Sequence, residues 1–457
     1  MKIFILNPFL FTGKLSKLSR KRQPLELAYI ANLLRQNHEI KLLDANALNL
    51  SLKETINEIK KFNPEILILT STPIDRWEVP SHAHIKFLIE NLVSIINNLN
   101  IPYIILIGSH GTVMPNWLLE KTKVNFIVRN EPELTVLNLV KGISFKNDIT
   151  GIKGISFIKD GKIINNPDAE RNKDLDNLPF PAYDLLPMEK YSYTHADIPR
   201  PFSIIMSSRG CPFDCIYCLK VMMKDFYIVR SPENVIAEIK HLIKEFDVRG
   251  IYFQDWEFTI DKDRVKKICG LILENNLDIK WGCNARANDL SDELVEKMEK
   301  AGCVRINIGF ETASQKLLDI CKKNIKISDV QKAIDICKEY KINIGIYSIL
   351  NLPGETRETI KETEKFLADN KLETMCTPNL PTPYFGTELY NMLKQQENRD
   401  FNWGDLDKYA GRVGVAQSPW LAKIYRLHYK YKYNWGKWYF LKPKFYLRFF
   451  KLIIYKL

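Results

Sequence analysis

Short runs of consecutive apolar, often β-branched residues alternate along this chain with longer stretches whose apolar positions recur every three or four residues. Lys2–Leu6, Glu39–Leu43, Ile66–Thr70 and Tyr103–Ile107 are runs of the first kind. Leu25–Arg35 (after Pro24), Leu52–Lys61 and Ile85–Asn98 carry the helical period. Dense apolar runs of about five residues suit strands buried on both faces, and the intervening stretches suit the helices that cover them. The β-α-β-α order over residues 1–148 predicts a Rossmann-like, doubly wound α/β sheet, which binds ligands outside the carboxyl ends of its strands.

The rhythm breaks over residues 149–200, where the proline-rich stretch Leu178-Pro179-Phe180-Pro181-Ala182-Tyr183 reads as an interdomain linker. A second series starts at Phe202. Its candidate strands are Phe202–Ser207, Gly250–Gln254, Ile279–Cys283, Arg305–Gly309, Asn343–Leu350 and Thr374–Thr377, with amphipathic helices such as Pro232–Phe246 and Asp261–Asn275 between them. Six such units over residues 201–390 predict a partial (β/α)6 barrel with its site at the C-terminal strand ends. Residues 391–457 remain as a C-terminal extension.

A length of 457 residues suits two or three domains. With 46% apolar and 26% charged residues, large buried cores are affordable. Nine scattered cysteines are too few for a disulfide framework, the N-terminus is too soon interrupted for a secretory signal, and no apolar run is long enough to span a bilayer. The expectation is a cytoplasmic protein with reduced thiols. The net charge of +12 is concentrated: residues 423–457 hold ten Lys and Arg and no acidic residue, leaving +2 for the rest. Charge gives no sign of a nucleic-acid-binding body.

Directly after the first strand of the second series stands Ser208-Arg209-Gly210-Cys211-Pro212-Phe213-Asp214-Cys215-Ile216-Tyr217-Cys218. Three thiolates in CxxxCxxC spacing share one loop. An iron–sulfur cubane takes four ligands, so three local ones leave an iron open to chelate the amino and carboxylate groups of a methionine. The competing reading is a zinc site or three neighbouring buried cysteines. Zinc wants a fourth Cys or His close by, and the closest histidines are His195 and His241.

On these residues the chain resembles the radical S-adenosylmethionine (SAM) superfamily over about residues 202–390. The resemblance implies a [4Fe–4S] cluster on Cys211, Cys215 and Cys218 that reduces SAM to methionine and a 5′-deoxyadenosyl radical. Phe253-Gln254-Asp255-Trp256-Glu257-Phe258-Thr259 looks like the strand-two motif. Trp281-Gly282-Cys283-Asn284-Ala285-Arg286 looks like the strand-three motif. Asn307-Ile308-Gly309-Phe310-Glu311-Thr312 resembles the GxE-type motif of the SAM site, and Leu352-Pro353-Gly354-Glu355-Thr356 resembles the GxPGET segment. The implied roles are catalytic for Asp255, Arg286 and Glu311, which would orient SAM or substrate. Tyr217, Gly309, Pro353, Arg286 and Glu311 would bind cofactor. Asn351 stands where glycine is usual and Asn288 where aspartate is common. Taken singly, Glu311 could be a surface carboxylate, Arg286 could pair with any acid, and Glu355 could serve a helix N-terminus. Cys269, Cys283, Cys303, Cys321, Cys337 and Cys376 fall singly in apolar surroundings and read as small core residues.

A doubly wound domain ahead of such a barrel resembles the cobalamin-binding subgroup of that superfamily. The resemblance rests on Gln23–Ala31, Leu42–Ala45, Ile107-Gly108-Ser109-His110-Gly111-Thr112 and Val128-Arg129-Asn130-Glu131-Pro132-Glu133, with Asn130 where glycine is usual. It implies that Gly108, His110 and Glu131 line a cobalamin pocket. No Asp-x-His-x-x-Gly signature is present, so histidine ligation of cobalt from below is not expected; a degenerate domain without corrin is the alternative. The tail carries thirteen aromatic residues among its ten basic ones. It could pack on the barrel, lie on the inner face of a membrane through snorkelling lysines, or contact nucleic acid, the least favoured of the three. Together these features point to a cobalamin-dependent radical SAM C-methyltransferase acting on a small, apolar or lipid-like molecule, with an electron donor such as flavodoxin or ferredoxin. The alternatives are a cyclase, rearrangement or oxidation enzyme resembling the anaerobic porphyrin cyclases, and a non-catalytic cobalamin or redox module.

Overall fold

The structure, a computed structural model, describes residues 1–8, 21–71, 93, 95–192, 197–220, 222–223, 226–372, 379–381, 383–398 and 400. The basic tail, the candidate strand Thr374–Thr377, Cys376 and most of Ile85–Asn98 lie outside the described residues.

The first sheet holds β1 (Lys2–Asn7), β2 (Glu39–Asp44), β3 (Ile66–Thr70), β4 (Tyr103–Ile107), β5 (Phe126–Val128), β6 (Ile155–Lys159) and β7 (Lys162–Asn165). Their order is β2-β1-β3-β4-β5-β6-β7. The pairings from β2 through β5 are parallel. β3 is buried along its whole length and β1 over its last five residues, as their continuous apolar sequences require. Phe4, Leu6, Leu67, Leu69, Leu106 and Ile59 share one apolar cluster, and each such side chain contributes roughly 1.5–3 kcal/mol of burial free energy. The helix Leu52–Phe62 turns Ile59 into that cluster. It starts at a reciprocal Ser51–Glu54 capping box and stops at Asn63, whose left-handed φ of 53° ends the helical run. The order 2-1-3-4-5 makes the crossovers change direction between β1 and β3, so the carboxyl ends of β1, β3 and β4 border the binding crevice of a doubly wound sheet.

Residues 149–200, expected as a linker, contribute strands to this sheet. β5 pairs antiparallel with β6, and β6 with β7, through a two-residue turn at Asp160-Gly161 with φ of 51° and 73°. The Asp-Gly pair between apolar runs is a strong hairpin signal, and the sheet therefore runs past residue 148. The proline-rich segment is docked as well. Asn32 Nδ2 donates to the Phe180 carbonyl at 2.6 Å and Ala182 N donates to the Ala28 carbonyl at 3.0 Å. The buried Tyr183 hydroxyl donates to Glu238 Oε1 at 2.7 Å, and Arg230 pairs with the other oxygen of that carboxylate.

The second sheet comprises β8 (Phe202–Ile205), β11 (Gly250–Phe253), β12 (Lys280–Ala285), β13 (Cys303–Glu311) and β14 (Asn343–Ser348), ordered β14-β13-β12-β11-β8. A two-stranded antiparallel ribbon joins β9 (Ser208–Arg209) to β10 (Ile228–Val229). The helices Pro232–Phe246, Lys262–Glu274, Asp292–Lys300 and Ile327–Glu339 separate successive strands. The first begins with Ser231 capping Asn234 N and Pro232 at the first helical position. The chain forms two compact units: Met1–Cys211 with Lys220–Asp255 and Glu274–Trp281, and Pro212–Leu219 with Trp256–Leu273 and the chain from Gly282 onward.

The Arg230–Glu238–Tyr183 network yields a first prediction. Arg230→Met leaves the Glu238 carboxylate buried without its cation, and chemical denaturation should show a loss of about 3–5 kcal/mol.

Candidate active site

The cysteine loop opens at Gly210. Its φ is 84°, and a Cβ there would lie 1.6 Å from the Phe226 carbonyl oxygen, so only glycine fits. The strand end before it is fixed by Asp255. This buried carboxylate accepts from Ser207 N at 2.7 Å, from Ser208 N at 2.9 Å and from the Ser207 hydroxyl. Asp255 therefore holds backbone at the β8 end. Arg209, adjacent to Gly210, is a buried cation that Glu131 meets at 3.0 Å and Glu133 at 2.7 Å, with the Tyr29 ring 5.6 Å away. Burial alone would lower its pKa; Glu133 and Glu131 more than offset that and hold the guanidinium above its ordinary range. Glu131 also lies 3.6 Å from Arg171. Both glutamates of the Glu131-Pro132-Glu133 segment thus serve buried ion pairs.

Gly108 follows β4 with a φ of 109°. His110, two residues on, is buried, and loss of hydration lowers its pKa to about 3, so the imidazole is neutral at physiological pH. Asn130, in the other glycine-like position of this domain, has a φ of 61°. Asparagine tolerates this left-handed conformation better than other residues with a Cβ.

In the second unit the cysteine loop is tied down by backbone. Cys218 N donates to the Cys215 carbonyl at 3.0 Å, Ile216 N to the Cys321 carbonyl at 3.2 Å, and Leu389 N to the Ile216 carbonyl at 2.9 Å. Arg286 stacks over Phe213 with 3.6 Å from its guanidinium carbon to the ring centroid. The same side chain donates to the carbonyls of Lys323 and, at 3.0 Å, Asn324. Arg286 therefore clamps the cysteine loop to residues 321–324. Tyr217 points a buried hydroxyl that has no hydrogen-bond partner among the described residues. Burial, followed by the negative charges of Glu311 and Cys215, drives its pKa well above the usual phenol value.

Glu311 ends β13 at a bulge with a φ of 64°, a strained conformation for glutamate. Its carbonyl accepts from Ile349 N at 2.9 Å and from the Ser348 hydroxyl at 2.8 Å, and its Oε1 meets Lys323 Nζ at 3.0 Å. A Cβ on Gly309 would sit 2.6 Å from Lys323 Nζ and 2.9 Å from Glu311 Oε1, so this ion pair requires the glycine of the GxE-type motif. Glu257 keeps one buried carboxylate oxygen without a hydrogen bond among the described residues. Burial raises its pKa to about 7 against the opposing pull of Lys323 and Arg286. Pro353 lies buried in the segment after β14. Asn351 has a φ of 73° and donates its N–H to Glu355. Asparagine at this glycine-like position thus keeps the left-handed turn.

Sequence reasoning missed Lys323 and Glu257. A lysine in the polar stretch Cys321-Lys322-Lys323-Asn324 carries no pattern that separates it from solvated surface lysines. The five cysteines Cys269, Cys283, Cys303, Cys321 and Cys337 are buried, as small core residues should be. Among the described residues no three His, Cys, Asp or Glu side chains converge on a single metal ion. Cys211, Cys215 and Cys218 stand outside any disulfide on one loop, and thiolates are the ligands an iron–sulfur cubane takes.

The three-thiol loop after the first strand of a parallel βα sheet, with a Gly-x-Glu strand end beside it, defines a radical SAM enzyme. The radical SAM superfamily model matches residues 205–367. An uncharacterized methyltransferase of Pyrococcus horikoshii is 31% identical over 393 residues, covering 85% of this chain and 82% of its own. The chain belongs to the radical SAM superfamily, whose cofactors are a [4Fe–4S] cluster and SAM. The anaerobic magnesium-protoporphyrin IX monomethyl ester cyclase of Rubrivivax gelatinosus is 29% identical, over 86% of this chain and 70% of the cyclase. The fold is also that of the radical SAM methyltransferase TsrM from Kitasatospora setae, solved with cobalamin and a [4Fe–4S] cluster, with a TM-score of 0.70 and 15% identity over 88% and 79% of the two chains. No helix among the described residues is long and apolar enough to cross a membrane.

Glu355 contributes to the pH response of the second unit. Burial lifts its pKa from an ordinary 4.5 to about 8, although the Asn351 N–H opposes the rise. Between those two values the unfolded chain releases this proton while the folded chain keeps it, so stability falls as pH rises. Melting curves at pH 6 and pH 8.5 should show Glu355→Gln removing about 2–4 kcal/mol of that decline. Equal pH dependence in parent and variant would contradict the assignment.

Proposed function

We propose that this enzyme is a cobalamin-dependent C-methyltransferase acting on an unactivated carbon of a small, apolar or lipid-like molecule. The observation that carries the reading is the succession along one chain of a 2-1-3-4-5 doubly wound sheet and a βα sheet bearing three thiols. The methyltransferase name of the archaeal relative and the cobalamin bound to TsrM support it.

Cys211, Cys215 and Cys218 would hold the cluster. Thr70 at the end of β3 and Ser71 after it, with Gly108, Ser109 and His110 after the neighbouring β4, offer small or polar buried groups at the carboxyl edge of the first sheet and would line the cobalamin. When bound, these groups supply the electron that cleaves SAM and the carrier of the methyl group. The chain's own part is to bind, orient and exclude water. Glu311 and Tyr217 would offer a carboxylate and a phenol to SAM, and Gly309 makes room for the Lys323 ammonium beside Glu311. Arg286 and Asp255 act as positioning residues through Phe213 and the Ser207–Ser208 backbone. Glu131 acts through Arg209. His110, neutral at physiological pH, would add an uncharged imidazole to the cobalamin lining. Basic and aromatic residues from 423 onward provide a candidate membrane-surface contact, and a flavodoxin or ferredoxin would donate the electron.

A second reading, a ring-forming or oxidising reaction, is favoured by the similarity to the Rubrivivax cyclase. Product mass separates the two. Anaerobic protein grown with cobalamin, given reductant, SAM and an apolar substrate, should yield 5′-deoxyadenosine and a product heavier by one CH2. A product changed only in hydrogen or oxygen would favour the second reading. Alanine at Cys211, Cys215 and Cys218 together should abolish 5′-deoxyadenosine; continued release would refute the cluster assignment.

A further inference from the structure

Lys323 is a buried cation that no motif of the site assigns. Only 5% of its surface is exposed, and its ammonium lies 3.0 Å from Glu311 Oε1. Its backbone is held in place from both sides: Lys323 N donates to the Leu318 carbonyl at 2.9 Å, and Arg286 donates to the Lys323 carbonyl. The loop that carries it is bonded through the Cys321 carbonyl to Ile216, the residue after Cys215. Gly309 leaves the space that the ammonium fills. Burial alone would favour the neutral amine, yet Glu311, Cys215 and Glu257, in that order, hold it protonated. The cysteine loop thus has a fixed positive charge behind it, on a side chain locked by packing.

We propose that Lys323 is a redox-positioning residue, a buried ammonium beside the Cys215 corner that makes the cluster easier to reduce, with Glu311 setting how much of its charge the cluster feels. The inference rests on the assignment of the three cysteines to a cluster. Adding an electron raises the negative charge of a thiolate-bound cubane, and a cation held in a low-dielectric interior stabilises that charge more than water would. Pairing with Glu311 damps the effect. Removal of either partner should therefore move the reduction equilibrium in opposite directions.

The test is an EPR-monitored reductive titration of the anaerobically reconstituted full chain without SAM, so that turnover plays no part. Lys323→Met should make the cluster about tenfold harder to reduce, a shift of about 59 mV to more negative potential for one electron. Glu311→Gln should shift the midpoint to less negative potential, and Lys323→Arg should stay near the parent. Midpoints of Lys323→Met and Glu311→Gln that coincide with the parent, or move together, would overturn the proposal. Should Lys323→Met fail to take up a cluster, Glu311→Gln decides alone, and an unchanged or more negative midpoint overturns it. A parent protein that takes up no iron and sulfide would instead defeat the cysteine assignment on which the proposal stands.

Discussion

A charge withdrawn from water must find a partner, and among the described residues several such pairings fix a loop at the end of a strand. Uncompensated burial of an ion costs several kcal/mol, so the geometry around Arg209, Asp255, Glu311 and Lys323 is strongly determined. In the first unit, Glu131 and Glu133 meet Arg209 immediately before Gly210, and Asp255 takes the backbone amides of Ser207 and Ser208. In the second, the Glu311–Lys323 pair holds a glutamate in a left-handed conformation it would not choose alone. Local strain and buried charge sustain one another there, as functional strand ends often require.

The parts of this arrangement that follow from local pattern were legible in the sequence. The apolar runs at Ile66–Thr70 and Tyr103–Ile107 are strands, the run Gly250–Gln254 is a strand as far as Phe253, and Pro232–Phe246 is a helix with the expected bounds. CxxxCxxC spacing and Gly309-Phe310-Glu311 also pointed to one site. The hairpin has a local signal of its own in Asp160-Gly161 between apolar runs, whereas Pro179 and Pro181 carry the opposite signal of a linker. What could not be read was long-range. Strand order, and the engagement of Asp255 and Arg286 with backbone, arise only when distant segments meet. Lys323 is the sharpest case, because nothing in a run of lysines marks which one is buried.

The two asparagines that depart from the family pattern show how conformation, rather than residue identity, is kept. Asn130 and Asn351 both stand where glycine is usual, and both have positive φ. Asparagine adopts that region at modest cost through local hydrogen bonding of its short side chain. The turns after β5 and β14 therefore keep their course, and Asn351 N still reaches Glu355.

The proposed chemistry depends on one loop, whose three sulfurs would grip a cubane and leave a corner for an incoming methionine chelate. Mössbauer spectra of the iron-57-reconstituted protein, recorded with and without SAM, address that vacancy most directly. One iron in four should change its parameters when SAM is added, while the other three stay put. Four irons that ignore SAM, or iron bound only as single ions, would contradict the account.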